Sequence, residues 1–491
     1  MIYKHPLYIR CFMTIGELLL FMYICIINIH FNLKDMLPIS IKKAFGKIKP
    51  KDVFTPAKAA TINYVKRNEL VNNIHNLFDT DGKQLVVFGY SGSGKTTLIT
   101  NELHNQRIKH IITRCTQDTT YDRLILNAFD QLNIYYEKSR TYRIDSSISA
   151  DFKGLKSQIG GSNNSTTERV LPYQLTAEKL AIFLGEVECY WIIEDLHKLH
   201  IDERRKVADT LKIFIDVANL HPKTKIICLG AVNSSKDLIE LDPNLNNRVA
   251  DINVPLLSNS EIRSLILNGF SLLSVSIPEK NLKQIIDLSN NIGSVAHQLC
   301  LNICHTLNIT KSSIIEKASV SDNAIQDSVQ TFVKEHAGRF KFLIDKIFST
   351  GKIGQQLLLQ FSKAELDGLP IETLYKNLSS FTEESVSELL NTLCSAEYEE
   401  VIRYDSNAKK FKLANPFFKV YVNMHFELER KAKRNNKSKK RNKRNYIQMY
   451  PHLFDLSKII IDDKQFDIYY KALIDSVKTI KELENNLKSD S

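Results

Sequence analysis

The sequence predicts an α/β fold: a parallel sheet with helices on both faces, followed by a helical segment and a smaller domain of helices and one hairpin. Three observations predict it. Between residues 68 and 257, short apolar runs of strand length alternate with amphipathic helical stretches, the pattern of a parallel sheet whose crossovers are helices. A glycine-rich turn separates the first of these runs from the helix that follows it. After Ser258 the strand-length runs stop and helical periodicity takes over. The chain has 491 residues, 43% hydrophobic and 25% charged, which is ordinary globular composition and excludes a largely disordered chain, a collagen-like repeat and a polytopic membrane protein. Its eight cysteines are scattered, with no CxxC pair, so neither a disulfide framework nor a zinc site is indicated.

Taken in order, residues 36–67 read as a polar lead-in punctuated by Pro38, Pro50 and Pro56. At 69–78, Leu70, Ile74 and Leu77 share a helical face. Residues 84–88, QLVVF, are a short apolar run that reads as a buried strand. Further strand-like runs stand at 108–113, 190–193, 225–229 and 252–254, with helical stretches at 97–105, 121–133, 178–184 and 203–219. Residues 139–174 are rich in Ser, Thr, Asn and Gly and read as a surface insertion. Helices are expected at 261–273, 279–290, 294–307 and 321–347. Three more, at 353–361, 371–378 and 383–394, precede strands at 401–404 and 410–413, the order of a winged-helix domain. In the third of them Val386, Leu389, Leu390 and Leu393 share a face, with Thr382 as the expected N-cap. The expected domains are therefore an apolar segment (1–35), a lead-in (36–67), the α/β core (68–257), a helical lid (258–330), a winged helix (331–428), a basic linker (429–445) and a helical tail (446–491).

Gly89, Tyr90, Ser91, Gly92, Ser93, Gly94, Lys95 and Thr96 match GxxxxGK[ST] in full, between a strand and a helix, and so predict a P-loop. Glycines let the backbone wrap a phosphate, and the following helix N-terminus, with Thr97 in its first turn, adds its positive end. Lys95 would reach the β- and γ-phosphates of ATP, and Thr96 would offer its hydroxyl to Mg²⁺. Such a site needs a second strand that ends in acid, and Cys189 to Asp195, CYWIIED, supplies one. One carboxylate, assigned to Glu194, would join the Mg²⁺ shell, and the other, Asp195, would polarise the attacking water. Glu before Asp inverts the usual order and puts the hydrolysis rate in question. Nearby His197 reads as a surface residue at a helix start. Asn233, after the strand at 226–229, is either a γ-phosphate sensor or a strand-ending turn residue. Arg248 is either an arginine finger toward a neighbouring subunit or a partner of local acids such as Asp251.

These residues together resemble an AAA+/STAND-type P-loop ATPase. Val65-Lys66-Arg67-Asn68-Glu69-Leu70 resembles that class's (F/V)xxRxxEL lead-in, and the P-loop, acidic strand end, Asn233 and Arg248 follow in the family's order. Asn291-Ile292-Gly293-Ser294-Val295-Ala296-His297 resembles the GxPxxxH/L start of the lid helix. The arrangement, over about residues 55–425, is also similar to origin-recognition and archaeal ATPases. No Arg occurs between Arg263 and Arg339, so the sensor-2 Arg of those replication proteins is missing, which favours the STAND side. The resemblance implies an ATP-binding and hydrolysing switch, often in bacterial-type signalling, mobile-element or defence systems. The alternative is a nucleotide-binding regulator or scaffold with little turnover.

The net charge of +11 is carried at the periphery. Arg430 to Arg444 holds ten basic residues and no acidic one, and residues 1–51 hold eight basic and two acidic. The body is slightly acidic, and the third helix of the expected winged helix carries Glu383, Glu384 and Glu388 and no cation. That helix would be repelled by phosphates, so it is expected to pack rather than to enter a DNA groove. The run from Arg430 to Arg444 lacks aromatics and reads either as a contact for DNA, RNA or an anionic membrane, or as a solvated linker. Residues 11–29 are almost continuously apolar with more Lys on their C-terminal side, which fits a single anchor with the body in the cytoplasm. The other reading is a start at Met36. A protein effector and a homo-oligomer are the remaining expected partners.

Overall fold

The structure is a computed structural model that describes residues 48–139, 175–231, 243–313, 318–406 and 408–449. The apolar segment at 11–29, most of the insertion at 140–174, Asn233 and the tail beyond 449 lie outside the described residues. Among the described residues no helix is long and apolar enough to cross a membrane. The chain divides into two units, one ending at Met424 and one beginning at His425.

The first unit is built on a five-stranded parallel sheet: β1 (Gln84–Phe88), β2 (Lys109–Arg114), β3 (Cys189–Glu194), β4 (Ile226–Gly230) and β5 (Val249–Asn253) in the order β2-β3-β4-β1-β5. Before it comes α1 (Pro50–Val53), then α2 (Asn68–Phe78); α3 (Lys95–Asn105), α4 (Tyr121–Ser139), α5 (Ala177–Glu186) and α6 (Ile201–Val217) connect the strands. Alternate residues of each strand feed opposite faces. Val86, Trp191 and Ile193 face a core closed by α4, α5 and α6, and Leu85, Val87 and Ile192 face one closed by α2 and α3. This is the expected α/β P-loop core. All five strands present their C-terminal ends to one edge, where ligands bind in such sheets. Strand β4 separates β3 from β1, so the acidic strand end is not the immediate neighbour of the P-loop strand.

Beyond the sheet lie α7 (Asn259–Leu273), α8 (Glu279–Ser289), α9 (Gly293–Thr306) and the long α10 (Asp322–Ser349). Ser258 and Glu261 form a reciprocal capping box at the start of α7. The expectation that strands stop at Ser258 needs correction. Two-residue strands β6 (Val275–Ser276) and β7 (Ala318–Ser319) pair in parallel, too short to carry a readable alternation. The polar reading of the lead-in also needs correction. Val53 and Phe54 are fully buried, and the Phe54 ring packs edge-on against Phe270 and His297, with centroids at 5.2 and 6.1 Å. A two-residue apolar plug among prolines and lysines has no period to reveal it.

Residues 352–413 form α11 (Lys352–Lys363), β8 (Leu369–Pro370), α12 (Ile371–Asn377), α13 (Glu383–Leu393), β9 (Ile402–Asp405) and β10 (Lys410–Leu413). The hairpin gains a third strand, in the order β8-β10-β9. Val386, Leu389, Leu390 and Leu393 of α13 are buried, and the Thr382 hydroxyl caps it by accepting from the Ser385 N–H. Last comes α14 (Pro416–Met449). A linker was expected at 429–445, but the helix runs through it. In the second unit His425 pairs with Glu429, Lys431 with Glu427 at 3.1 Å and Lys433 with Glu429 at 3.6 Å, and such i,i+4 pairs support a helix despite the charge excess.

Candidate nucleotide site

The P-loop joins β1 to α3. Gly92 has φ +78°, and a Cβ there would lie 2.8 Å from Ile292 and 3.1 Å from the Phe417 ring. Gly89 is equally constrained, since its Cβ would meet the Val254 carbonyl oxygen at 2.3 Å. Both positions require glycine on steric grounds as well as conformational ones. Helix α3 opens after Gly94 with no acid in its first turn, so its N-terminal dipole is not neutralised and favours an anion.

Lys95 donates from Nζ to the carbonyls of Gly89 and Tyr90, both at 2.9 Å. Burial lowers its pKa, and the nearby Asp195 carboxylate opposes the shift. The Thr96 hydroxyl donates to Glu194 Oε1 at 3.0 Å. The other carboxylate oxygen, Oε2, accepts from Arg114 Nε at 2.8 Å. Asp195 stands in the left-handed region at φ +60° and pairs with Lys198 at 2.7 Å. Both sequence-assigned acids thus sit at the C-terminal edge of β3, on the P-loop side of the sheet. His197 is exposed, as a surface residue would be.

A cavity of 760 Å³ spans this edge, within the range of about 300–1,000 Å³ typical of small-molecule sites. Ser91 to Thr97, Arg114, Glu194 and Asp195 line one side. The lead-in residues Tyr64, Val65 and Arg67 line another, with Gly293, Ser294 and His297 of α9 and Phe417 of α14 opposite. Ser93 Oγ and Ser294 Oγ are buried without a hydrogen-bond partner among the described residues, which leaves polar capacity beside the loop for a ligand. Arg67 clasps the junction between sheet and lid: it pairs with Glu261 at 3.1 Å and donates to the carbonyls of Pro255 and Leu256. His297 Nδ1 accepts from the Thr55 N–H at 3.2 Å, and burial drives its pKa down to about 4, so the ring is neutral.

Of the expected site residues that the structure describes, Arg248 is not brought together with the rest. Asn233 lies outside the described residues. The Arg248 carbonyl accepts from the N–H of Gln84, the first residue of β1, so Arg248 sits a strand length, about 17 Å at ~3.3 Å per residue, from the P-loop edge. Its guanidinium pairs with Asp216 at 3.6 Å rather than with Asp251. On the hairpin Arg403 pairs with Glu400, Lys410 with Asp367 and Lys412 with Asp405. Sequence reasoning overlooked Arg114 and the cavity-lining Tyr64 and Phe417. Only Arg114 carried a signal: a cation ending a strand-like run, as Glu194 ends another.

Mg²⁺ is the ion a P-loop implies. The Thr96 hydroxyl and Glu194 carboxylate are hard oxygen donors already in contact, which fits it. Among the described residues no cluster of three His, Cys, Asp or Glu could hold a metal alone, and an ion that shares its shell with substrate phosphates needs none.

No family model matches the chain, and no curated protein matches it. Among solved structures it is similar to a Walker-type ATPase of Pyrococcus abyssi, at 13% identity over 74% of this chain and 97% of that one, with a TM-score of 0.46. It is similar to Cdc6p of Pyrobaculum aerophilum at 12% identity over 77% and 98%, with a TM-score of 0.40. It is also similar to the Orc1 protein of Aeropyrum pernix, solved in complex with DNA, at 11% identity over 77% and 96%, with a TM-score of 0.39.

Proposed function

We propose that this chain is an ATP-binding switch of the AAA+ kind that hydrolyses ATP to ADP and phosphate. The observation that carries this reading is the hydrogen bond from Thr96 of the P-loop to Glu194 at the end of β3. It joins the two halves of a magnesium-nucleotide site across the intervening strand. ATP would occupy the cavity with its phosphates on the loop N–H groups and the α3 N-terminus. Lys95 would exchange the Gly89 and Tyr90 carbonyls for phosphate oxygens. Thr96 and Glu194 would hold Mg²⁺, which when bound neutralises charge that builds on the β,γ-phosphates. Asp195 would orient the attacking water once released from Lys198. The lead-in, the lid helix α9 and Phe417 all border the cavity, so filling it would alter contacts among all three.

A second reading, a nucleotide-binding regulator with little turnover, is favoured by the Asp195–Lys198 pair, which ties up the expected water-orienting carboxylate. A phosphate-release assay on the wild type and Lys95→Ala, with and without DNA, separates the readings. Turnover abolished by the substitution supports the switch. Tight ATP binding without turnover supports the regulator. ATP binding unchanged by Lys95→Ala would sink the site assignment.

Three finer elements belong to the same proposal. Arg248, remote from its own chain's nucleotide site, would act as an arginine finger only on a neighbouring copy in a homo-oligomer. The basic residues from Arg430 to Arg444 would contact DNA, RNA or an anionic membrane. Residues 331–428 would act as a winged helix that packs through α13 instead of reading DNA, in a bacterial-type signalling, mobile-element or defence setting with a protein effector, and with the body in the cytoplasm, anchored if residues 11–29 are made.

A further inference from the structure

We infer that Arg114 is a built-in counter-cation for the metal-side carboxylate, so that Arg114 and a magnesium ion compete for Glu194. The inference rests on the nucleotide-site reading above and concerns how that site is gated. Glu194 is 8% exposed, and a carboxylate that buried needs compensation for its lost hydration. It receives it at both oxygens, from the Thr96 hydroxyl at Oε1 and the Arg114 Nε at Oε2. The pairing is set by the sheet. Arg114 and Glu194 are register partners at the ends of β2 and β3, and the Cys115 N–H to Glu194 carbonyl bond at 2.9 Å continues the ladder past them. A guanidinium cannot shed its proton at any working pH, so the cation leaves Glu194 only by swinging away. It has room to do so, since the Arg114 side chain is 73% exposed and borders the cavity.

The same economy holds across the site. Lys95 rests on two loop carbonyls, Asp195 on Lys198 and Glu194 on Arg114. Each charged group has a partner that a bound nucleotide with its metal would replace. Thr96 and Glu194 would hold the metal at a corner where its charge would oppose the adjacent Arg114 guanidinium. Arg114 thus freed faces a cavity that holds phosphates, for which its fork is well matched. Metal affinity and the position of Arg114 are therefore linked, and linkage is reciprocal. Arg114 is a positioning residue in this scheme, since it acts through Glu194.

The test is binding of a fluorescent ATP analogue to the full chain, titrated with magnesium, for wild type, Arg114→Gln and Arg114→Lys. Loss of the counter-cation is expected to lower the half-saturating magnesium concentration about fivefold or more in Arg114→Gln. Arg114→Lys, which keeps the charge without the fork, is expected to fall between. Magnesium curves that coincide for all three, with nucleotide still bound, would overturn the competition while leaving the nucleotide site intact. No binding by the wild type at any magnesium level would overturn the nucleotide-site reading and this inference together.

Discussion

His297 offers a prediction whose size follows from its surroundings. The ring is 6% exposed, packs against Phe54, and accepts from the Thr55 N–H through Nδ1. Burial lowers its pKa from 6.5 to about 4. Between those values the unfolded chain binds a proton that the folded chain refuses, so folding stability rises with pH across that window. The contribution is fully present above the unfolded value and is lost as pH falls toward the folded one. The whole shift is worth about 3 kcal/mol at ~1.4 kcal/mol per pH unit, of which about 2 kcal/mol is gone by pH 5. His297→Asn keeps an acceptor near the place of Nδ1 but removes the titration. Urea melts at pH 7.5 and pH 5 measure the effect: the wild type is expected to lose about 2 kcal/mol more than the variant on acidification. Equal losses would show that His297 is protonated without penalty, and that the lead-in is not sealed against the lid as described.

Further expectations address the site and the second unit. Gly92→Ala must place a Cβ at φ +78° among Ile292, Ser294 and Phe417, and should cost about 2–4 kcal/mol; an unchanged melting curve would contradict the packing of the lid on the loop. Asp195→Asn should leave nucleotide affinity near wild type and stop phosphate release, whereas Glu194→Gln should weaken magnesium-dependent binding itself; identical effects from the two would dissolve the division of labour. A chain that ends at Glu429 lacks the ten basic residues of the run and should lose salt-sensitive DNA binding in a filter-binding titration. Retained binding with the same salt slope would assign that contact elsewhere.

What could be read from the sequence was whatever is local. The P-loop is eight contiguous residues between a strand and a helix, and each part signals itself through glycines, an apolar run or helical spacing. The CYWIIED strand announces its own burial and its acidic end. Thr382 and the apolar face of α13 likewise depend only on neighbours a few positions away. The composition of the lead-in hides its anchoring residue, Phe54, because that ring packs against partners more than two hundred positions distant, Phe270 and His297. The basic run reads as a linker in isolation because the acids that support the start of its helix, Glu427 and Glu429, lie just before it.

The sequence by itself therefore determined the α/β class, the phosphate-wrapping loop and the presence of an acidic partner strand, because each is written in short-range spacing. Only the tertiary structure decided which oxygen of which acid meets Thr96, which cation balances it, and that Arg248 stands at the far edge of the sheet. Those facts depend on strand order and register. The order β2-β3-β4-β1-β5 sets Arg114 beside Glu194, and brings Thr96 across β4 to the same carboxylate. No local spacing encodes which strands become neighbours, since that is settled by how the helices cover both faces of the sheet at once.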